Sequence, residues 1–249
     1  MMDFTGQRVV ITGGSSGIGL ATAKAVADLG GEVCIVGRDQ GRLQQATAML
    51  GGNVEAYCAD VTDEAALSGL FSRIGAFNHL VTAAGPMPTD GPFLSVRTQD
   101  ARALFEGKFW GQFFTVKHAA PKIVPGGSVT MFGGSVSRKA APGSPVFAAI
   151  DGAIESLGRI IAIELAPVRV NVIAPGIIDT PMLNGMSPEM RTAVLNRSAQ
   201  GTMVKRYGKA EDVAKAVLFL MDNTFVSGTV LDVDGGKLGS FWHDPDKVS

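Results

Sequence analysis

The sequence predicts an α/β fold: a single-domain, Rossmann-type doubly wound sheet of about seven mostly parallel strands, with helices on both faces. Three observations predict it. Strand-like runs alternate with helical stretches along the whole chain. The runs are continuously apolar rather than alternating, as in a sheet covered on both sides. A glycine cluster stands between the first run and the first helix.

The elements follow in order. Residues 8–12 (RVVIT) form the first strand, and 16–29 a helix with Ile18, Ala21, Ala25 and Leu29 on one side. Strands are expected at 32–36 and 54–58, with a helix at 42–50 between them. A helix with an acidic start covers 63–74, and 79–83 is a fourth strand. A long helix at 99–120 precedes a strand at 128–132, and another at 146–165 precedes a strand at 169–173. A helix at 210–221 and a strand at 229–233 complete the pattern, leaving a short tail at 237–249. Residues 179–206 are a long insertion carrying Met182, Met186, Met190 and Met203. They read either as an apolar substrate lid or as ordinary helix packing. No internal repeat or linker divides residues 1–249.

Composition narrows the function. With 22 basic and 23 acidic side chains the net charge is −1, so a basic footprint for nucleic acid or acidic lipid is excluded. Hydrophobic residues make up 46%, too many for a disordered chain. The 32 glycines among 249 residues are nearly twice the usual share of about 7%, and must serve turns and close backbone approaches. No signal peptide and no membrane span are expected, which suits a cytoplasmic protein. Cys34 and Cys58 lie in strand-like runs and read as two reduced core thiols. His79, His118 and His243 share no ligand spacing, so no metal is expected.

The glycine cluster carries chemistry. Gly13, Gly17 and Gly19 sit in TGGSSGIG, directly after a strand and opening a helix. Gly13 permits a tight turn, Gly17 lets backbone approach a pyrophosphate, and Gly19 lets helix and strand pack closely. Ser15, Ser16 and Ile18 complete the cradle at a helix N-terminus, whose free N–H groups and dipole favour phosphate. At the end of the second strand, Arg38 suits the 2′-phosphate of NADP. Asp39 is the competing reading: it either holds the ribose of NAD or caps the next helix. NADP is the expected cofactor, with NAD the lesser alternative.

With these motifs the chain resembles the short-chain dehydrogenase/reductase family, in its branch of roughly 250 residues, from about Gly6 to Gly236. Asp60 and Val61 resemble the pair that contacts adenine. Ala83, Ala84 and Gly85 resemble the family's Asn-Ala-Gly segment, with Ala83 in place of asparagine. Pro175, Gly176, Ile178 and Thr180 fall in a segment like the one that holds the nicotinamide amide and phosphate.

The same resemblance exposes a departure. The family works through Asn, Ser, Tyr and Lys. Here the tyrosine position holds Phe147, the lysine position Asp151 and the asparagine position Lys108. Only the serine survives, as Ser135, with Gly134 the occupant if the loop register shifts by one. The family's tyrosine gives a proton to the carbonyl as hydride arrives, and its lysine lowers that hydroxyl's pKa and holds the nicotinamide ribose. Phe147 has no proton to give, and Asp151 would raise a neighbouring acid's pKa. Lys108 and Asp151 exchange the charges of two neighbouring helices, so they are expected to pair, leaving Lys108 as a proton source. A decayed site with merely neutralised charges is the alternative.

Arg138 and Lys139 follow Ser135 and read as a solvated pair, or as an attractor for an acidic substrate. Phe105, Phe109, Trp110, Phe113 and Phe114 circle one helix, which suggests a covered face in a homodimer or homotetramer. The resemblance therefore implies an NADP(H)-dependent oxidoreductase with an altered proton donor, acting on a small carbonyl-like or imine-like substrate. The alternatives are a catalytically silent NADP(H)-binding protein, serving as sensor or partner subunit, and a lyase or isomerase on the same fold.

Overall fold

The computed structural model describes residues 2–52, 54–86 and 91–237. Positions 87–90 of the loop after Gly85, and the tail from 238 with His243, lie outside the described residues. The strands are β1 (Arg8–Thr12), β2 (Glu32–Gly37), β3 (Val54–Cys58), β4 (Phe77–Thr82), β5 (Ile123–Phe132), β6 (Arg169–Pro175) and, last in the chain, β9 (Val230–Val233). They form a seven-stranded sheet of order β3-β2-β1-β4-β5-β6-β9, and every pair in it is parallel.

Continuous apolar strands bury both faces, and two cores result. On one side, Val10, Cys34, Val36 and Leu80 pack against α3 (Glu64–Ile74), α5 (Gly111–Ala119) and α6 (Pro145–Glu164). On the other, Val9, Ile11, Val33 and Ile35 meet α1 (Gly17–Asp28), α2 (Gln40–Leu50) and α8 (Ala210–Asp222). Branched side chains at successive positions suit strands sandwiched in this way.

The edge strand β3 departs from the expectation. Glu55, Ala56 and Cys58 are exposed there, because only one neighbouring strand covers them. Cys58 is therefore a surface thiol and not a core one, whereas Cys34 is fully buried, with its pKa pushed up to about 12 by desolvation. Both are free.

The long helix expected at 99–120 is interrupted. It runs as α4 (Thr98–Leu104), a π-helical stretch at Phe105–Trp110, and then α5. Its aromatic rings pack on one another: the Trp110 ring meets Phe109 edge to face at 5.1 Å and stacks on Phe114 at 5.6 Å. In the single chain these rings are only partly covered, Trp110 being 38% exposed.

The insertion is a helical excursion clasped at its base. A short parallel pair, β7 (Ile178–Asp179) with β8 (Gly208–Lys209), closes it, and α7 (Pro188–Gln200) fills it. Arg191 ties α7 to Asp179 at 2.6 Å. Met190 and Met203 are exposed, while Leu183 and Leu195 are the buried apolar side chains of the segment.

His79 anchors the sheet in a way that pH should reveal. Its Nε2 lies 2.7 Å from the acceptor Gln7 Oε1, to which its N–H donates, and its Nδ1 lies 2.8 Å from the Ser128 hydroxyl, which can donate to the neutral ring. Burial, with the Arg169 charge adding to it, pushes its pKa down to about 4. The unfolded ring takes a proton below about pH 6.5, which the folded ring refuses until about pH 4. Stability should be full above pH 6.5 and fall by up to about 3 kcal/mol between there and pH 4. Urea unfolding at pH 7.5 and 4.5 measures this loss. His79→Gln should remove most of the difference; a difference left unchanged would assign it to other groups.

Candidate active site and dinucleotide cleft

A cleft of about 510 Å³ opens at the carboxyl ends of the strands, where the order reverses between β1 and β4. Every site residue expected from the sequence lines it except Gly19. Gly19 instead lies under Gly13, and any Cβ there would run into the Gly13 carbonyl. Its task is close packing of helix on turn. A Cβ on Gly13 would stand 2.6 Å from the Ala84 nitrogen, so the turn after β1 needs a bare backbone against the Ala83–Ala84 peptide.

The residues fit a dinucleotide. Ser16, the N-cap of α1, makes no side-chain bond to the first turn, so the helix presents uncapped N–H groups at the cleft. At the far end Arg38 lines the cleft beside Arg42, which the sequence reading missed. Asp39 is engaged elsewhere: its Oδ1 accepts from the Arg42 N–H at 2.9 Å, capping α2, and its Oδ2 pairs with Arg42 Nε at 3.2 Å. Asp60 uses Oδ1 to accept from the Thr62 N–H and hydroxyl, both at 2.9 Å. Those bonds, the backbone one foremost and Arg38 nearby, hold its carboxyl below its ordinary range.

At the other end the exchanged residues meet. Lys108 Nζ contacts Asp151 Oδ1 at 2.5 Å, donates to the Gly133 carbonyl at 3.0 Å, and stands 4.9 Å from the centroid of the Phe147 ring. The expected pairing across neighbouring helices is thus present. The π-helical stretch carries Lys108, and Gln112 braces it from below. Gln112 is 2% exposed; its Nε2–H donates to the Lys108 carbonyl (3.2 Å) and the Phe132 carbonyl (2.9 Å), and its Oε1 accepts from Thr82 (2.6 Å) and the Phe132 N–H (2.9 Å).

Asp151 is deeply buried. Burial pushes its carboxyl up, against the pull of Lys108 and with Glu155 adding a like charge. The loop beside it has a matching constraint: a Cβ on Gly134 would run into Asp151 Oδ2. Position 134 therefore carries no side chain, and the hydroxyl at the cleft wall comes from Ser135, which is 3% exposed at the head of a 3-10 turn.

Arg138 and Lys139 do not line the cleft; both are held in ion pairs, although the Arg138 side chain stays 39% exposed. Arg138 joins Glu155 at 3.1 Å and Asp232 at 2.6 Å, and Lys139 joins Asp234 at 2.5 Å. Buried carboxylates on α6 and after β9 draw these cations inward. Besides Lys108, the cleft is lined by Lys237, which no sequence motif marked.

A family model described as Enoyl-(Acyl carrier protein) reductase matches residues 13–237. The chain belongs to the short-chain dehydrogenase/reductase family. It is 32% identical to the human 3-oxoacyl-[acyl-carrier-protein] reductase over 234 residues, covering 91% of this chain and 95% of that one. It is 31% identical to a short-chain dehydrogenase/reductase, ATR9, of Stachybotrys chlorohalonatus, covering 95% and 98%. A solved small-chain dehydrogenase in complex with NADPH is similar at TM-score 0.82 and 36% identity, over 92% of this chain and 97% of that one. The MalC reductase/Diels-Alderase of Malbranchea aurantiaca is similar at TM-score 0.85 and 28% identity, over 94% and 96%. The short-chain dehydrogenase/reductase described here is thus an oxidoreductase by family type. Among the described residues no helix is long and apolar enough to cross a membrane.

The Gly134 constraint is directly measurable. Gly134→Ala should destabilise the protein by about 1–3 kcal/mol in urea unfolding, because the Asp151 carboxylate blocks the new methyl group. Gly152→Ala, one residue past Asp151 where a Cβ meets nothing within 4 Å, should be neutral or gain up to about 1 kcal/mol from helix propensity. Equal effects would show that the carboxylate yields freely.

Proposed function

We propose that this short-chain dehydrogenase/reductase is an NADP(H)-dependent reductase of a small carbonyl-like or imine-like substrate, working through an altered active site. The observation that carries this reading is the single cluster formed by Lys108, Asp151 and Phe147 at the floor of the cleft. What favours a working site over merely neutralised charges is that the pair is braced and given room. Asp151 and Phe147 both contact Lys108, Gln112 holds the Lys108 carbonyl, and Gly134 leaves room for Asp151.

In this reading the turn at Gly13 and Gly17, Ser15, Ser16, Ile18 and the uncapped start of α1 hold the pyrophosphate. Gly19 keeps the turn close to the helix. Arg38, with Arg42 beside it, receives the 2′-phosphate, while Asp39 is engaged in capping α2. Asp60 and Val61 border the adenine. Ala83, Ala84, Gly85, Pro175, Gly176, Ile178 and Thr180 border the nicotinamide half. When bound, NADPH supplies the hydride. The protein's own side chains do the rest. Ser135 orients the substrate oxygen or nitrogen by a hydrogen bond. Lys108 holds a proton at Nζ, offers it directly or through water, and places a positive charge where negative charge develops. Asp151 keeps that ammonium in position, and Phe147 excludes water beside it. Met182 and Leu183, from the excursion over the cleft, border the substrate space.

The aromatic face at 105–114, together with the exposed Ile160 and Ile163 on α6, supports a second copy of the chain as the cover of these helices. A catalytically silent NADP(H)-binding protein is the second reading. It is favoured by Phe147, which leaves general-acid help worth about 10²–10⁴ in rate to be found elsewhere.

Fluorescence titration should give NADPH at least about tenfold tighter binding than NADH, and Arg38→Ala should abolish the difference. NADPH oxidation against a carbonyl and imine panel should show turnover that falls at least about 100-fold in Ser135→Ala. Tight binding without turnover on any panel member would favour the silent protein, and no binding of either dinucleotide would sink both readings.

A further inference from the structure

Among the described residues, the charges at the proposed catalytic end of the cleft do not balance. Lys108, Asp151 and Lys237 line it there. The Asp151 carboxylate is bonded to Lys108. Asp234, the acid nearest Lys237 in sequence, is 3% exposed in its side chain and is itself occupied. Its Oδ2 pairs with Lys139 at 2.5 Å, and its Oδ1 accepts from the backbone N–H groups of Gly236 (3.0 Å) and Lys237 (3.3 Å). Among the described residues the Lys237 ammonium has no hydrogen bond or ion pair of its own. Among the described residues the cleft floor therefore carries one positive charge in excess.

The position of Lys237 is fixed by backbone. Its N–H is held by Asp234, and the turn before it is stitched to the excursion over the cleft. Met203 N–H donates to the Gly236 carbonyl and Val204 N–H to the Gly235 carbonyl, both at 3.2 Å, and Thr202 pairs with Lys237 in an antiparallel bridge. Gly235 and Gly236 both need positive φ for this turn, at 68° and 67°. Lys237 thus stands where the excursion meets the cleft, close enough to Asp151 to feel its charge.

We propose that Lys237 binds an anionic group of the substrate, so that this enzyme acts on a carbonyl or imine compound carrying a carboxylate or another acidic group. The inference rests on the reading of this cleft as a reductase site. It also relocates the attraction for an acidic substrate, from Arg138 and Lys139, which are engaged with Glu155, Asp232 and Asp234, to a residue from the far end of the chain. The charged groups facing Lys237 are Asp234, Lys139 and Asp151. Half-burial pushes its ammonium pKa down and Lys139 adds to this, while Asp234 and Asp151 oppose without cancelling it. A cation in that condition gains from an incoming anion.

The anion that Lys237 receives has two sources, the substrate and a phosphate of the dinucleotide, and the experiment separates them. Acetoacetate and its neutral near-isostere acetoacetamide are titrated against the full chain, with and without NADPH, by thermal shift and calorimetry. The wild type should bind acetoacetate about tenfold or more tightly than the amide. Lys237→Met should bring the two to near parity with NADPH affinity unchanged within about twofold, and Lys237→Arg should keep the preference. Circular dichroism confirms that both variants are folded. No preference in the wild type, or a preference that survives in Lys237→Met, overturns the proposal. So does a tenfold loss of NADPH affinity in Lys237→Met with the preference intact, which would assign the ammonium to the dinucleotide. A Lys237-dependent preference in a protein that binds no NADPH would uphold the anion site and reject the reductase reading.

Discussion

A carboxylate as deeply buried as Asp151 is tolerable only beside a cation, and the Lys108 ammonium at 2.5 Å is that cation. Much of the cleft floor follows from this one pair. Glycine at position 134 leaves the carboxylate its room, since a Cβ there would run into Asp151 Oδ2. The π-helical stretch and the Gln112 brace hold Lys108 in register with α6. Phe147, one turn before Asp151, turns a ring toward the ammonium. One turn after it, Glu155 is a second buried acid, matched by Arg138 from the loop after β5 and by the Ser137 hydroxyl. Two acids one turn apart on α6 thus clamp the helix from two different elements.

In the proposed reading the dinucleotide half of the cleft depends on backbone, and the catalytic half on side chains. Gly13, Gly19 and the uncapped start of α1 keep the shape that a phosphate-binding turn requires. These are constraints on conformation and space, so they resist change while the side chains opposite are exchanged. On the proposed function, an active site is rebuilt on such a scaffold by swapping interacting residues together, here Lys108 and Asp151.

Much of this was legible in the sequence. Continuous apolar runs announced the buried parallel sheet, and the glycine spacing marked the cradle. Lys108 and Asp151 were expected to pair because exchanged charges fell on helices that the family places side by side. What stayed hidden involved side chains whose partners lie far along the chain. Arg138 looked solvated because Asp232 stands 94 positions away. Lys237 lay beyond the last motif, and Arg42 was masked by the more obvious Arg38. Cys58 was misread because an apolar run does not reveal that its strand lies at the sheet edge, where one face stays wet. The π-helical stretch has no simple sequence signature; bulky aromatics at 105–110 gave only an apolar helix.

The most direct test of this account is a double-mutant cycle on the pair, read as unfolding free energy in urea. Lys108→Met and Asp151→Leu each strand a buried charge or its partner, and each should cost about 3 kcal/mol. The double variant removes both charges and should cost less than either single change, giving a large favourable coupling. Costs that simply add in the double variant would show that the two residues are neighbours without dependence, and would contradict the account.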